Sequence, residues 1–265
     1  MTDLLAHVES VWQSVVTDLP TFTVEVLPSI DSTSSELMRR ARDGLVEPVL
    51  LVAEEQTAGR GRMGKGWHSK PGQSLTFSLA LPLAPADWSG LSLSVGVSLA
   101  ESLHPDVRLK WPNDLWLQER KLGGILVETA GSGEGASAPR TVVIGVGINI
   151  ARPDAASVQA IAPSSVPAPM PPAGLSEVRM GVTAGETLAL VAPALVRDVL
   201  RFGHEGFAAF APRFARRDAL QGRAVRLTDG TEGTADGVDA QGALRVQTAQ
   251  GLRTVHSAEV SVRPC

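Results

Sequence analysis

The sequence predicts an α+β protein in two parts, a larger domain of helices packed on a β-sheet and a small C-terminal β-barrel. Three observations carry this. Apolar residues recur at helical spacing over residues 2–18, 91–103 and 183–210. Apolar and β-branched runs lie between those segments at 48–53, 73–81 and 141–146. From Gly222 onward the character changes to short β-like runs separated by Asp229-Gly230, Gln241-Gly242 and Gln250-Gly251.

The chain has 265 residues, 43% hydrophobic and 20% charged, which suffices for a substantial core in one or two domains. Its formal charge of −4 argues against a general nucleic-acid binder, although a local basic site stays compatible with it. The single cysteine, Cys265, excludes an internal disulfide and a cysteine-based metal cluster. Asp3 near the start and the lack of a long apolar run predict a soluble, cytoplasmic protein without a secretory signal.

In order, Leu4, Leu5, Val8, Val11, Trp12, Val15 and Leu19 form one face of a first helix that Pro20 ends. Thr23 to Leu27 alternates as a strand. Thr33 and Glu36 stand at capping-box spacing, so a second helix is expected through Met38 and Ala41 to Gly44. Strands follow at Pro48–Ala53 and Gln73–Leu81, then a helix of small and apolar residues over Leu91–Leu103. Val107–Trp111, Leu115–Leu117, Gly124–Glu128 and Thr141–Val146 are further strands. Residues 131–139 read as a Gly/Ser/Ala linker, and 151–181, rich in Pro, Ala and Ser, as an irregular loop. The helix over 183–210 is expected to break near Pro193 and around Gly203–Gly206. Five short strands then begin at Ala224, Gly233, Ala243, Leu252 and Val260.

The stretch Glu54–Ser69, EEQTAGRGRMGKGWHS, follows a strand and combines glycines with Arg60, Arg62 and Lys65. Glycine lets backbone N–H groups approach a ligand, and arginine supplies charge and forked donors, so such a loop suits a phosphate-bearing ligand. Gly59, Gly61 and Gly64 spell G-x-G-x-x-G, but Lys65 to Gly72 cannot open the helix that a dinucleotide site requires. Gly59 to Lys65 nearly spells a P-loop, but Gly66 stands where a magnesium-binding hydroxyl belongs. A solvated basic loop remains the plainer alternative for this stretch alone.

Three more stretches put polar residues beside strands: Lys110-Trp111-Pro112-Asn113-Asp114, Lys121-Leu122-Gly123-Gly124 and Gly145-Val146-Gly147-Ile148-Asn149. Each lysine taken singly reads as a surface residue. Taken together with the glycine-rich loop, they imply one convergent site for an anionic ligand. Ser32 and Thr33 add hydroxyls at a helix N-terminus, where capping is the plainer reading taken alone and ligand binding the alternative.

The set SIDST, EEQTAGRGR-x-G-x-x-W, KWPND, KLGGILVE and GVGIN, in this order and followed by a small β-domain, closely resembles biotin protein ligase. The resemblance is strong over residues 20–150 and weaker elsewhere. It implies a class II synthetase-like biotin/lipoate ligase fold, a mixed sheet flanked by helices over residues 1–219, and an SH3-like β-barrel over 220–265. It implies that biotin and ATP, with magnesium, form biotinyl-5′-AMP and pyrophosphate. The acyl group then passes to one lysine of a biotin carboxyl carrier protein, such as that of acetyl-CoA carboxylase. Carried over by position, Ser32, Thr33 and Ser34, with Gln56 and the backbone at Gly59, resemble the groups around the ureido ring. Arg60, Gly61 and Arg62 resemble the loop that folds over the adenylate, and Trp67 the aromatic wall against biotin. Lys121, followed by Gly123 and Gly124, resembles the lysine at the biotin carboxylate and acyl phosphate. Lys110, Asn113 and Asp114 resemble the phosphate, magnesium and acceptor side, and Asn149 the adenosine-side amide.

This sequence departs from the family pattern at Ser34, where the family often has Asn, and at Met63 and Gly66, which are often basic. Only 31 residues precede Ser32, so a ligase without a helix-turn-helix repressor domain, and hence without a DNA partner, is expected, as monomer or homodimer. A lipoate-protein ligase shares the adenylate logic, and a non-catalytic biotin sensor is the rival outside enzymes. The Gly-Arg-Gly-Arg loop and KWPND favour biotin.

Overall fold

The computed structural model describes residues 3–44, 47–131, 139–154, 171–256 and 262–264. Cys265, most of the 131–139 linker and residues 155–170 of the Pro-rich segment lie outside the described residues.

Seven strands form the main sheet: β1 (Thr23–Ile30), β2 (Val49–Gln56), β5 (Ser74–Leu83), β6 (Arg108–Lys110), β7 (Asp114–Leu117), β8 (Arg120–Ala130) and β9 (Arg140–Asn149). Their spatial order is β1-β2-β5-β9-β8-β7-β6. β1 runs parallel to β2 and every other pairing is antiparallel, so the sheet is mixed. A two-stranded hairpin, β3 (Gly59–Arg60) with β4 (Gly66–Trp67), stands apart on the glycine-rich loop.

Alternation along the central strands divides the core. Leu50, Val52, Leu75, Phe77, Leu79, Ile144, Val146 and Ile148 belong to the main core with α1 (Asp3–Val15), α3 (Leu91–Leu103) and α4 (Ala184–Glu205). Val49, Leu51, Ala80 and Val143 meet Leu37 and Met38 of α2 (Thr33–Arg42) on the opposite face. Burial on both faces explains why β2 and β9 read as nearly continuous apolar runs. The helix α2 covers only part of its face, and the uncovered part holds the site.

Several local expectations change. The N-cap of α2 is Ser32, whose Oγ accepts from the Ser35 amide at 3.3 Å, and not Thr33. Glu36 serves Arg39 and Arg40 instead of a capping box. Pro193 sits within α4 without ending it. The apolar face of Leu188, Val191, Leu195, Val196 and Val199 is fully buried, and that burial outweighs one missing backbone bond. After Glu205 a short 3₁₀ turn, Phe207–Ala209, and α5 (Ala211–Ala215) lead to the second domain.

That domain holds β10 (Ala224–Leu227), β11 (Glu232–Val238), β12 (Leu244–Thr248), β13 (Gly251–Val255) and β14 (Val262–Pro264). They pair as one antiparallel sheet in the order β13-β12-β11-β10-β14, with β13 and β14 as its edges among the described residues. The buried Trp111 indole donates to the Gly242 carbonyl at 3.0 Å, joining the two domains. Leu109 and residues 217–219 exchange backbone bonds that cover the β6 edge of the main sheet.

Candidate functional site

The uncovered part of the α2 face is a trough whose floor is nearly free of side chains. Gly124 on β8 pairs with Gly147 on β9, and Leu126 with Gly145. A Cβ on Gly145 would lie 2.2 Å from the Ser34 Oγ, and one on Gly147 would lie 2.3 Å from the Trp67 ring. Glycine is required at both positions because neighbouring side chains already occupy the space.

One end of the trough is a buried hydroxyl cluster. Ser78 Oγ is 2.8 Å from Thr33 Oγ1 and 3.0 Å from Ser34 Oγ. Gln56 Oε1 accepts from the Thr33 amide at 2.8 Å and from its hydroxyl at 3.1 Å. The Gln56 amide donates to Ser69 Oγ at 2.6 Å, which fixes the end of β2 where the loop begins. Ser32, Thr33, Ser34 and Ser78 are all buried, so these groups are committed to each other and to whatever enters the trough. Ser34 keeps a polar role here through Ser78, although it lacks the amide of the commoner Asn.

The glycine-rich loop crosses the trough as a strap. Its base leaves the end of β2 and is tied to the end of β1, with the Thr57 and Ala58 amides donating to Ile30 and Asp31 at 2.9 Å each. Gly59 faces Trp67 in the β3–β4 hairpin, where a Cβ would meet the Trp67 carbonyl at 2.3 Å. The Gly61 amide donates to Lys65 O at 2.7 Å and closes the tip. Met63 in this tip has φ of 56° and is exposed, a left-handed conformation unusual for a residue with a side chain. The Arg60 guanidinium donates to Ser35 Oγ at 3.3 Å and to Glu128 Oε1 at 2.9 Å. Arg62 Nη1 reaches Asn113 Oδ1 at 3.3 Å. Burial lowers the Arg62 guanidinium from its ordinary value, and the nearby Asp114 charge opposes that effect.

The far end is ionic. Lys121 Nζ is 2.7 Å from Asp114 Oδ1, and a Cβ on Gly124 would lie 3.3 Å from the same Nζ. A β-bulge produces this meeting. Leu115 pairs with Gly123 and Trp116 with Lys121, so the ladder skips Leu122. Without that extra residue Lys121 would face the main core. Asn113 is fixed by its Nδ2 bond to Ile125 O at 2.8 Å and by the Ile125 amide on its own carbonyl at 3.0 Å. Lys110 Nζ lies 4.9 Å from the centre of the Trp116 ring. Asn149, buried at the end of β9, donates to Ala173 O at 3.1 Å, and the Ala173 amide donates to Lys121 O at 2.9 Å.

The structure therefore brings Ser32, Thr33, Ser34, Gln56, Gly59, Arg60, Gly61, Arg62, Trp67, Asn113, Asp114, Lys121 and Gly124 around one trough. Gly123 points elsewhere: a Cβ there would meet Gly147 O at 2.6 Å, so its absence of side chain serves strand packing. Lys110 stands on the neighbouring Trp116. Sequence reasoning did not single out Ser78, Glu128 or Trp116. A serine within the apolar run Gln73–Leu81 and the acid ending KLGGILVE were the available signals. A separate cleft of about 270 Å³, lined by Arg108, Trp116, Glu119, Asp218 and Arg223 among others, lies between the sheet edge and the second domain.

Among the described residues no group of three or more His, Cys, Asp or Glu side chains is arranged to hold a metal ion. Asp114 is the carboxylate at the ionic end. A magnesium ion carried chiefly by substrate phosphates needs one or two such carboxylates, and this donor set fits that mode. No described helix is long and apolar enough to cross a membrane.

The biotin/lipoate A/B protein ligase family model matches residues 26–149, and the biotin protein ligase C-terminal domain model matches residues 221–263. The chain is 37% identical over 252 residues to the bifunctional ligase/repressor BirA of Escherichia coli, covering 91% of this chain and 74% of that one. It is 34% identical over 247 residues to the biotin--[acetyl-CoA-carboxylase] ligase of Paracoccus denitrificans, covering 89% and 98%. A solved biotin protein ligase of Aquifex aeolicus, in complex with biotin and ATP, superposes with a TM-score of 0.70 at 26% identity, over 91% of this chain and 99% of that one.

Proposed function

The chain belongs to the biotin protein ligase family, and we propose that it activates biotin with ATP and transfers biotin to a lysine of a biotin carboxyl carrier protein. The observation that carries this reading is the convergence of Lys121, Asp114, Arg62 and Asn113 at one end of a glycine-floored trough whose other end is a buried hydroxyl cluster. A ligand suited to such a trough is flat and narrow, with a hydrogen-bonding head and an anionic tail. Biotin has that form.

In the first step a biotin carboxylate oxygen attacks the α-phosphorus of ATP. A new O–P bond forms, the bond to the bridging oxygen breaks, and pyrophosphate leaves. The repulsion between two anions must be offset, and Arg62 and Lys121 are the fixed cations suited to doing so. Burial around Arg62 strengthens its field at the reacting phosphate. Magnesium, when bound at the Asp114 side, would supply further charge neutralisation on the phosphates. Thr33, Gln56 and Ser78 orient the ureido head, and Trp67 forms the wall against the ring system.

The product is a reactive mixed anhydride. A loop strapped across the trough by Arg60 and Arg62 excludes water from it. In the second step the carrier's lysine amine attacks the acyl carbon, an amide forms, and AMP leaves with loss of a proton from the amine. No covalent enzyme nucleophile is needed. We assign residues 1–219 to the catalytic domain and 220–265 to the C-terminal domain, a division supported by separate family matches over 26–149 and 221–263. Use of ATP supports a cytoplasmic site of action.

The test is pyrophosphate release from ATP with biotin, with lipoate run beside it. Release with biotin alone supports the reading. Release with lipoate alone moves the chain to the lipoate branch of the family. Tight biotin binding without release makes it a sensor.

A further inference from the structure

Glu128 has no part in the chemistry just described, yet it is where the strap is fastened. It stands near the end of β8, opposite Val143 and two pairs along from Gly145, on the face that α2 covers. Arg60 is 68 residues earlier in the chain and reaches it with Nη2 at 2.9 Å. The same guanidinium donates to Ser35 Oγ in the first turn of α2, so it bridges helix and sheet over the trough. The other carboxylate oxygen of Glu128 is buried without a hydrogen-bond partner among the described residues. The oxygen that accepts a hydrogen bond, Oε1, is the one turned to Arg60.

The second fastening is Arg62 on Asn113, which is itself tied to Ile125. Both fastenings end on or beside β8. Arg60–Glu128 is an ion pair at 2.9 Å, whereas Arg62 reaches a neutral amide at 3.3 Å with the Asp114 charge nearby.

We propose that Glu128 is a positioning residue that sets how long the activated intermediate is retained, by holding Arg60 and with it the glycine-rich loop across the trough. This rests on the ligase reading for the identity of the intermediate, but the latch itself does not. The pair is partly exposed, with side-chain accessibilities of 45% for Arg60 and 24% for Glu128, so its contribution is modest and sensitive to salt.

The experiment uses the full chain as wild type, Glu128→Gln, Arg60→Gln and the double variant. Tryptic cleavage after Arg62 and Lys65 is timed without ligand, and dissociation of preformed biotinyl-5′-AMP is timed by chase. Glu128→Gln is expected to quicken both about fivefold, the change that a partly exposed ion pair supports. Adenylation kcat and the thermal midpoint should change little. The double variant should match Arg60→Gln, which loses the Ser35 bond as well, and about 0.5 M salt should narrow the gap between wild type and Glu128→Gln. Unchanged cleavage and unchanged dissociation in Glu128→Gln overturn the proposal, as do additive effects in the double variant. A lowered thermal midpoint with the same loss in Glu128→Asp would make Glu128 a structural residue instead. Should wild type release no pyrophosphate with biotin, the ligase reading fails, while the cleavage rates still decide the latch.

Discussion

The Trp67 indole rests so closely on Gly147 that a methyl group there would lie 2.3 Å from Cε2 and 2.6 Å from Cζ2. A wall residue of the trough is thus seated by the absence of a side chain on its floor. This contact links the hairpin of the glycine-rich loop to the strand β9, far apart in sequence.

Gly147→Ala is expected to push the indole out of register while leaving the main core intact, since the added methyl points away from that core. Overpacking of this kind costs about 1–3 kcal/mol of stability, so a modestly lower thermal midpoint is expected, and the displaced wall should raise the KM for biotin about tenfold. Steady-state pyrophosphate release over a biotin series measures it. An unaltered KM would remove Trp67 from the biotin wall.

Lys121→Ala is expected to lower the adenylation rate by about 10²- to 10³-fold, the usual cost of deleting one oriented charge. Its fold should survive, because the Lys121 side chain is 43% exposed and lies outside the apolar core. Single-turnover formation of biotinyl-5′-AMP is the measurement. Wild-type turnover would show that Lys121 does not touch the reacting groups.

Arg62→Gly is expected to let the intermediate escape. It removes the Asn113 bond and a half-buried cation together. Dissociation of biotinyl-5′-AMP should quicken about tenfold or more, given the strength of charge-assisted contacts to phosphate. Retention equal to wild type would disprove the role of Arg62 in closure.

Trp111→Phe tests the junction between the domains. The indole is fully buried and its N–H satisfies the Gly242 carbonyl. Phenylalanine leaves that carbonyl unpaired and a gap beside it, at a cost of about 1–3 kcal/mol. Urea unfolding should show a lower midpoint. An unchanged midpoint would mean that the bond adds nothing to the docking of the second domain.

Asp218 gives a pH signature. Burial pushes its carboxyl above the ordinary value, while the Leu220 and Gln221 amides pull it down less strongly. A raised value in the folded state means that the folded protein binds this proton more readily than the unfolded chain. Stability on this account is therefore greatest below the unfolded value and falls as pH rises through the folded value. Asp218→Asn is expected to be the more stable protein at about pH 8 and to lose that advantage by about pH 4. Urea midpoints at the two pH values measure it, and equal midpoints at the higher one would contradict the burial argument.

Much of this was legible in order along the chain. The helix over Leu91–Leu103 and the strand positions follow from periodicity, because one-sided burial imposes a period on the sequence. Boundaries were less legible where polar and glycine residues continue a strand. Lys121, Gly147 and Asn149 lie within β8 and β9 rather than beyond their ends. Glycine and lysine carry little strand propensity, and only pairing with neighbours holds them extended.

The sequence by itself determined the α+β class, the second small β-domain and the five motifs whose residues line the trough, since each depends on local pattern and residue chemistry. The tertiary structure alone decided which of those residues meet. Strand alternation would send Lys121 into the core beside Leu115 and Ile125. The bulge at Leu122 turns it instead toward Asp114. Glu128 likewise gained its meaning only when folding set it beside Arg60. Facing is fixed by the register between strands, and register is a property of the paired sheet that neither strand carries alone.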